Sequence, residues 1–186
     1  KLINQRLDKG DLIQSLFYRG KMTNNPQIIL KNRYSVIPRT LILLIQAGKV
    51  LLQKGAANKK IWAGKYNGLG GHIERGEDVL SAAKRELKEE SGLDCLDLHQ
   101  CGCVMIDVDK DQGILMFVFS GSNMSGDLIH SEEGLLEWVE FEKVNALPVV
   151  EDIPMLLGKI EKTTNGTLFF GHYGYSEEGK LIADFS

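Results

Sequence analysis

Apolar residues recur along this chain in short runs that are separated by charged or glycine-rich turns. Aliphatic runs of this kind between turn residues are typical of β-strands. The pattern predicts strands at residues 40–46, 49–54, 98–108, 114–120, 135–141, 168–175 and 180–185. Ala47-Gly48 predicts a hairpin between the first two strands, residues 109–113 predict a turn between the next two, and the last two are expected to form a terminal hairpin.

Helical periodicity marks two main segments of the chain. Asp78 is a suitable N-cap for the first, and Gly92 suits the left-handed position that ends it. At about 100° per residue, one side of this helix carries Val79, Ala82, Ala83, Glu86, Leu87 and Glu90. Residues 152–162 predict the second helix, with Pro154 in its first turn. A short amphipathic helix is also expected at residues 11–18.

Strands that surround two main helices predict the α/β class, as an α/β/α sandwich with a mixed β-sheet. A length of 186 residues fits one domain of ordinary size. We expect this domain to span residues 39–186, and residues 1–38 to form an N-terminal extension of uncertain role.

The first predicted helix places acidic residues at the edge of its apolar stripe. Glu86 and Glu90 lie one turn apart, and Glu89 stands beside them. Partly buried carboxylates repel each other and lose hydration, which costs about 4 kcal/mol per pair at about 4 Å and an effective dielectric constant of about 20. A hard divalent cation with oxygen ligands would offset this cost, and magnesium also binds phosphate. The alternative is a solvated acidic helix face.

Three glycines, Gly68, Gly70 and Gly71, stand ahead of the acidic helix. Glycine permits positive φ and a close approach of the backbone to a ligand. A carbonyl of such a turn can bind a metal ion, and its N–H groups can face phosphate oxygens. The placement therefore favours a metal and phosphate site, with a flexible turn as the alternative.

Residues 71–93 resemble the Nudix box, Gly-x5-Glu-x7-Arg-Glu-U-x-Glu-Glu-x-Gly-U, where U is aliphatic. Every fixed position matches: Gly71, Glu77, Arg85, Glu86, Leu87, Glu89, Glu90, Gly92 and Leu93. The resemblance implies the Nudix fold and the hydrolysis of a nucleoside diphosphate that is linked to another group. It also implies Mg2+ as the cofactor, with Mn2+ as the substitute ion.

The Nudix resemblance also implies roles for single residues. The implied metal ligands are the carbonyl of Gly70 and the carboxylates of Glu86, Glu89 and Glu90. Glu77 is implied to support the site. Arg85 is expected to orient a helix carboxylate through a charge-assisted bond, with a surface ion pair as the alternative.

Residues 131–139 resemble a loop and a tryptophan-containing strand of the MutT-type oxidised-nucleotide hydrolases. In that group a loop glutamate approaches the metal site as ligand or base. This implies Glu133, with Glu132 in reserve, although solvated loop glutamates are the alternative. The choice of general base between Glu86, Glu90 and Glu133 stays open.

Residues 65–71 are similar to the Trp-Asn-Gly-Phe-Gly-Gly segment of MutT-type and 8-oxo-dGTP diphosphatase enzymes, with Tyr66 in place of the tryptophan. The similarity implies that Asn67 reads the base, and an amide offers both a donor and an acceptor to a purine edge. Glu151 and Asp152 lie where those enzymes carry an acidic base-recognition pair. The alternative for both acids is charge that complements a helix N-terminus.

Phosphate contacts are expected from Gly71 and Lys54. Solvent exposure is the alternative for Lys54 and for its neighbours Lys59, Lys60 and Lys65. His72 could meet a phosphate. Ordinary polar contacts are expected for His99, His130 and His172.

Composition narrows the class of partner. A net charge of −3 argues against a nucleic-acid polymer. No apolar run approaches the roughly 20 residues of a membrane span, and no signal-peptide pattern opens the chain. Cys95, Cys101 and Cys103 are expected to be reduced core thiols of a cytoplasmic protein, without a zinc site. We expect a monomer or homodimer that acts on a small nucleotide.

The leading hypothesis is magnesium-dependent hydrolysis of a nucleoside triphosphate to the monophosphate and pyrophosphate, with an oxidised purine such as 8-oxo-dGTP as the favoured substrate. Other Nudix substrates, ADP-ribose or a dinucleoside polyphosphate, remain open. A non-catalytic Nudix-like regulator that binds nucleotides also remains open. An isopentenyl-diphosphate isomerase is disfavoured, because no convincing set of a catalytic cysteine and additional histidine ligands is present.

Overall fold

The computed structural model describes residues 33–57, 61–129, 134–163 and 166–186. The predicted helix at residues 11–18 therefore lies outside the described residues. The elements, in chain order, are β1 (Ser35–Gln46), β2 (Lys49–Gly55), β3 (Tyr66–Asn67), α1 (Val79–Ser91), β4 (Asp94–Cys95), β5 (His99–Asp107), β6 (Gln112–Gly121), β7 (Met124–Ser125), β8 (Gly134–Glu140), α2 (Phe141–Val144), α3 (Ile153–Lys162), β9 (Phe169–Tyr175) and β10 (Leu181–Phe185).

The main sheet has the strand order β10-β9-β5-β6-β1-β2-β3, and β8 pairs along the whole length of β2, from Lys49 to Gly55. Strands β1 and β6 run parallel, as do β5 and β9, while the remaining pairs are antiparallel. The predicted mixed sheet is therefore confirmed, together with the hairpins β1–β2 and β9–β10. Strands β4 and β7 form a separate two-stranded sheet.

One main helix packs on each face of the sheet. Ala83 and Leu87 of α1 pack in a buried cluster with Ile42 of β1. Ile153 of α3 packs in a second buried cluster with Leu41 of β1. Adjacent residues of β1 thus enter opposite cores, because side chains alternate along a strand. The expected α/β/α sandwich is confirmed.

The ends of the elements differ from the predicted ends. Strand β1 starts at Ser35, ahead of the predicted strand start at residue 40 and of the expected domain boundary at residue 39. Its first residues pair in register with β6, beginning with Ser35 opposite Gln112, and sequence pattern alone does not reveal such a partner. The short elements β3, β4, β7 and α2 were not predicted, because two to four residues carry no measurable periodicity.

The cysteines and the helices of the fold bear on two expectations from composition. All three cysteines are free, with Cys95 and Cys101 buried, as expected for reduced thiols. Within the described ranges, no helix combines the length and the apolar character needed to cross a bilayer.

Candidate active site

Helix α1 is held at both ends by the residues that the sequence indicated. The side chain of Asp78 accepts hydrogen bonds from the N–H groups of Leu80 at 2.9 Å and Ser81 at 3.0 Å. At the other end, Gly92 has φ +74° and its N–H donates to the carbonyl of Lys88. These caps fix the start and the end of the helix, and therefore the direction of its acidic side chains.

Glu90 is buried on the sheet side of α1 and has a backbone partner. Glu90 is only 6% exposed, and its Oε2 accepts a hydrogen bond of 2.8 Å from the N–H of Gly70. Gly70 has φ +127°, and a Cβ at this position would lie 2.4 Å from the carbonyl oxygen of Thr40. Glycine is therefore required where the turn approaches both β1 and the buried carboxylate.

Gly71 provides the space for the second carboxylate. A Cβ at Gly71 would lie 2.6 Å from Oε1 of Glu86. The carbonyl of Gly71 accepts a hydrogen bond of 2.9 Å from the N–H of Thr40, so the turn is also held against β1. The two box glutamates are thus packed directly against the glycine turn that precedes their helix.

Arg85 connects the acidic groups around the helix. Its Nε and Nη2 donate to the two carboxylate oxygens of Glu77 at 3.1 and 2.7 Å, and its Nη1 donates to Glu86 at 2.9 Å and Glu89 at 3.1 Å. Nη2 also donates to the carbonyl of His72. The hydrogen bond from Arg85 lowers the pKa of Glu77, and the same bond raises the pKa of Arg85 further above its ordinary value. The guanidinium therefore holds Glu86 in one orientation.

A single cleft of about 900 Å³ contains most of the expected site residues. Its lining includes Asn67, Gly70, Gly71, Glu86, Glu90, Glu151 and Asp152. Apolar side chains, among them Ile114 and Met116 of β6, form part of its wall. The cleft thus combines an acidic region at α1 with polar and apolar groups that suit an aromatic base.

Asn67 and Asp152 both have polar atoms free to meet a ligand. Oδ1 of Asn67 accepts the N–H of Gly68 at 2.8 Å, which leaves its amide NH2 as a donor. Asp152 occupies the N-cap position of α3 but makes no capping hydrogen bond with its side chain. Desolvation raises the pKa of Asp152 to about 6, with a further contribution from the charge of Glu151. Asp152 therefore stands at the helix N-terminus, where its charge can complement the helix dipole, and its role in base recognition stays a prediction.

Four expected site residues in the described ranges are not part of the cleft lining: Lys54, Glu77, Arg85 and Glu89. Lys54 is exposed, and its ammonium lies 5.5 Å from the centre of the Tyr66 ring. Side chains alternate along β2, and the neighbour Gln53 lines the cleft, so the phosphate contact of Lys54 stays a prediction. The carboxylate of Glu89 is 61% exposed and is not part of the lining, since it turns toward Arg85.

Glu133 and Glu132 lie outside the described residues, as do Lys59, Lys60 and His130. Their expected roles stay predictions. His72 lines the cleft. His99 and His172 make the ordinary polar contacts expected of them, with the carbonyl of Asp97 at 2.8 Å and with the carboxylate of Asp107 at 2.9 Å.

The cleft also contains residues that no sequence motif indicated, among them Arg39, Gln53, Trp62 and Tyr173, and it contains Lys65, one of the lysines considered for phosphate contact. Trp62 has φ +64°, which is uncommon for a bulky residue. Its carbonyl accepts the N–H of Lys65 at 3.0 Å, and the Lys65 ammonium lies 5.1 Å from the centre of its ring. Strand register and loop geometry bring Arg39, Gln53, Trp62 and Tyr173 to the cleft, and the sequence carried no separate signal for them.

The acidic residues of the cleft suit a hard divalent cation. Glu86 and Glu90 both bring carboxylate oxygens to the lining, and such oxygens are the ligands that Mg2+ prefers. Among the described residues, no three histidine, cysteine, aspartate or glutamate side chains form a ready metal cluster. A complete ligand set would therefore need further donors, such as the Gly70 carbonyl, Glu89 or Glu133.

Comparison with known proteins agrees with this site. Residues 37–157 match the family model described as the NUDIX domain. The chain is 30% identical over 149 residues to the oxidized purine nucleoside triphosphate hydrolase of Mus musculus, a match that covers 77% of this chain and 90% of that protein. It is 36% identical over 106 residues to the Danio rerio protein of the same name, covering 56% and 67%.

The fold itself resembles that of a MutT protein from Bacillus halodurans, with a TM-score of 0.67, 22% identity and coverage of 81% of this chain and 97% of that one. The fold and the acidic helix define the class of Nudix hydrolases. The chain belongs to the Nudix family, as residues 71–93 indicated.

Proposed function

We propose that this protein is a magnesium-dependent nucleoside triphosphate pyrophosphohydrolase, and that its substrate is an oxidised purine nucleotide such as 8-oxo-dGTP. One observation carries the proposal: the carboxylates of Glu86 and Glu90 share a cleft with Asn67 and Asp152. The cleft volume of about 900 Å³ suits a nucleotide-sized ligand. Two relatives with 30% and 36% identity are named oxidized purine nucleoside triphosphate hydrolases, which supports the choice of substrate.

The acidic end of the cleft is assigned to the triphosphate. Glu86 and Glu90 would hold the divalent cation, with Gly70, Glu89 and Glu133 as further proposed ligands. The cation, when bound, would activate water and neutralise charge on the phosphates. Arg85 keeps Glu86 oriented through its 2.9 Å hydrogen bond, which prepares the carboxylate for this work.

The other end of the cleft is assigned to the base. Oxidation of guanine at C8 adds a carbonyl oxygen and converts N7 from an acceptor into an N–H donor. Glu151 and Asp152 provide acceptors for such a donor, and the NH2 of Asn67 provides a donor for a ring carbonyl. An Asp152 pKa of about 6 also lets this carboxyl act as a donor in mildly acid solution.

A substrate panel tests the proposal. The purified chain is assayed with Mg2+ on 8-oxo-dGTP, dGTP, ADP-ribose and diadenosine tetraphosphate, and the products are separated by anion-exchange chromatography. We expect monophosphate and pyrophosphate from 8-oxo-dGTP, with a kcat/KM at least about 10-fold above that for the other nucleotides. Comparable or faster turnover of ADP-ribose or the dinucleotide would remove the substrate assignment.

Binding without turnover of any nucleotide would instead favour the non-catalytic regulator. The same assay with Glu90→Gln is the control for a contaminating phosphatase, because contaminating activity would survive the substitution. We also propose that this activity serves the nucleotide pool of the cytoplasm, where free thiols such as those of Cys95, Cys101 and Cys103 persist.

A further inference from the structure

Three buried side-chain atoms in the described part of the chain have no hydrogen-bond partner: Nε of Arg39, Nε2 of Gln53 and Oη of Tyr173. All three residues line the same cleft. Buried polar groups in folded proteins are nearly always paired, so unpaired ones call for a specific explanation. Their convergence on one cleft indicates that a polar ligand supplies the missing partners.

Arg39 is the charged member of this group, and its strand position shows which part of the cleft it serves. It lies on β1 opposite Met116 of β6, two residues before Leu41. Leu41 and Met116 both belong to the core on the α3 side of the sheet. Side chains at alternate positions share a face, so Arg39 extends over this same side.

The neighbouring residue faces the opposite way. Oγ1 of Thr40 accepts the N–H of Gly71 at 3.3 Å, and Gly71 packs against Glu86. The acidic end of the cleft therefore lies on the α1 side of β1. Arg39 is placed in the half assigned to the base, and the metal and phosphates are assigned to the other half.

Within the described residues, the buried Nε of Arg39 has no hydrogen-bond partner. Arg85, in the same site, has Glu77, Glu86 and Glu89 as partners. A guanidinium carries five N–H donors and no acceptor. A partly buried group of this kind is costly when unpaired, so a ligand acceptor close to Arg39 is favoured.

We propose that Arg39 donates hydrogen bonds to the 6-keto oxygen of the purine ring and so selects 6-oxopurines over 6-aminopurines. Keto oxygens accept from a guanidinium, as in arginine readout of guanine, whereas the 6-amino group of adenine presents a donor there. This inference rests on the proposed function only in that the cleft binds a purine nucleotide.

The test measures binding separately from hydrolysis. Dissociation constants of dAMP, dGMP, 8-oxo-dAMP and 8-oxo-dGMP are determined by NMR titration without metal, for the wild-type chain, Arg39→Met and Arg39→Lys. We expect Arg39→Met to weaken binding of dGMP and 8-oxo-dGMP about 10- to 100-fold and to leave dAMP and 8-oxo-dAMP nearly unchanged. Arg39→Lys should recover only part of the loss, because an ammonium lacks the planar fork.

A melting curve of each variant verifies folding, and Arg33→Met is the matched control, because Arg33 is exposed and does not line the cleft. An equal loss for all four nucleotides would assign Arg39 to the sugar or phosphate and would overturn the proposal. The proposal would also be overturned if Arg39→Met caused no loss of affinity, or if the wild-type chain bound none of the nucleotides. A wild-type chain that binds 6-oxopurines through Arg39 but fails to hydrolyse 8-oxo-dGTP would refute the proposed function alone.

Discussion

The N–H of Gly70 donates a hydrogen bond of 2.8 Å to Oε2 of Glu90, although the two residues lie 20 positions apart in the chain. The bond joins the glycine turn after β3 to the acidic face of α1. It gives a buried carboxylate that lines the cleft a backbone partner. The turn and the helix are thus joined at the acidic part of the cleft.

Glu90→Gln should separate catalysis from folding. The amide oxygen can still accept the N–H of Gly70, so the free energy of unfolding should change by less than about 1 kcal/mol. Loss of the negative charge should lower kcat at least about 100-fold. The measurements are steady-state kinetics with 8-oxo-dGTP and urea denaturation, with Glu89→Gln as a matched control that is expected to lose less because Glu89 is mostly exposed. Unchanged kcat in Glu90→Gln would mean that Glu90 has no role in the reaction.

Alanine at the two adjacent glycines should have different effects. At Gly70, a Cβ meets the backbone oxygen of Thr40 at 2.4 Å and φ is +127°, so Gly70→Ala should destabilise the fold by about 2–4 kcal/mol. At Gly71, the Cβ meets the flexible carboxylate of Glu86, so Gly71→Ala should cost less stability but displace this side chain and lower kcat. Urea denaturation and kinetics of both variants provide the comparison. Equal stability losses would contradict the close approach of Gly70 to β1.

Arg85→Lys should disturb both stability and activity. Lysine cannot form the two parallel hydrogen bonds to Glu77, and it leaves Glu86 without its present donor. We expect kcat to fall about 10-fold or more and the free energy of unfolding to fall by about 1–2 kcal/mol at pH 7.

The stability loss in Arg85→Lys should depend on pH in a defined direction. Because Arg85 lowers the pKa of Glu77 in the folded chain, the stabilisation exists above the ordinary pKa of 4.5 and disappears as the pH falls through the lowered value. Urea denaturation at pH 7 and at progressively lower pH should therefore show the two proteins converging in acid. A difference that stays constant with pH would show that the ion pair is not its cause.

Asp152→Asn should stabilise the protein at neutral pH. Burial raises the pKa of Asp152 from 3.8 to about 6, because the buried carboxyl favours its neutral form. The stability that this shift contributes to the wild-type protein is fully present below pH 3.8. It is lost as the pH rises through about 6, where the buried carboxyl must ionise. The variant should be more stable by about 1–3 kcal/mol at pH 7, and this advantage should vanish near pH 4. Urea denaturation across this range measures the difference, and the absence of any pH trend would contradict the raised pKa.

Local signals in the sequence were sufficient for the helix that bears the acids. Asp78 and Gly92 cap α1 as predicted, and the apolar stripe placed Glu90 at the core edge. The positions of Glu86, Asn67 and Asp152 in one cleft agree with the expected site, although their roles stay predictions.

The local sequence pattern does not predict which residues reach the cleft when their placement depends on strand register. Lys54 and Gln53 are neighbours on β2, yet only Gln53 lines the cleft, and local pattern does not show which of two neighbouring strand residues faces it. Arg39 enters the cleft because β1 pairs with β6 opposite Met116, a contact between segments that are far apart in the sequence. A lone arginine at the start of a strand carries no motif that would reveal this position.

Binding of Mn2+, followed by electron paramagnetic resonance, tests most directly whether the acidic face of α1 holds a divalent cation. The wild-type chain and the double variant Glu86→Gln, Glu90→Gln are titrated with the ion in the presence of 8-oxo-dGMP. We expect saturable binding to the wild-type chain and affinity at least about 10-fold weaker in the double variant. Equal affinities would show that the cation is held elsewhere and would contradict the site built on Glu86 and Glu90.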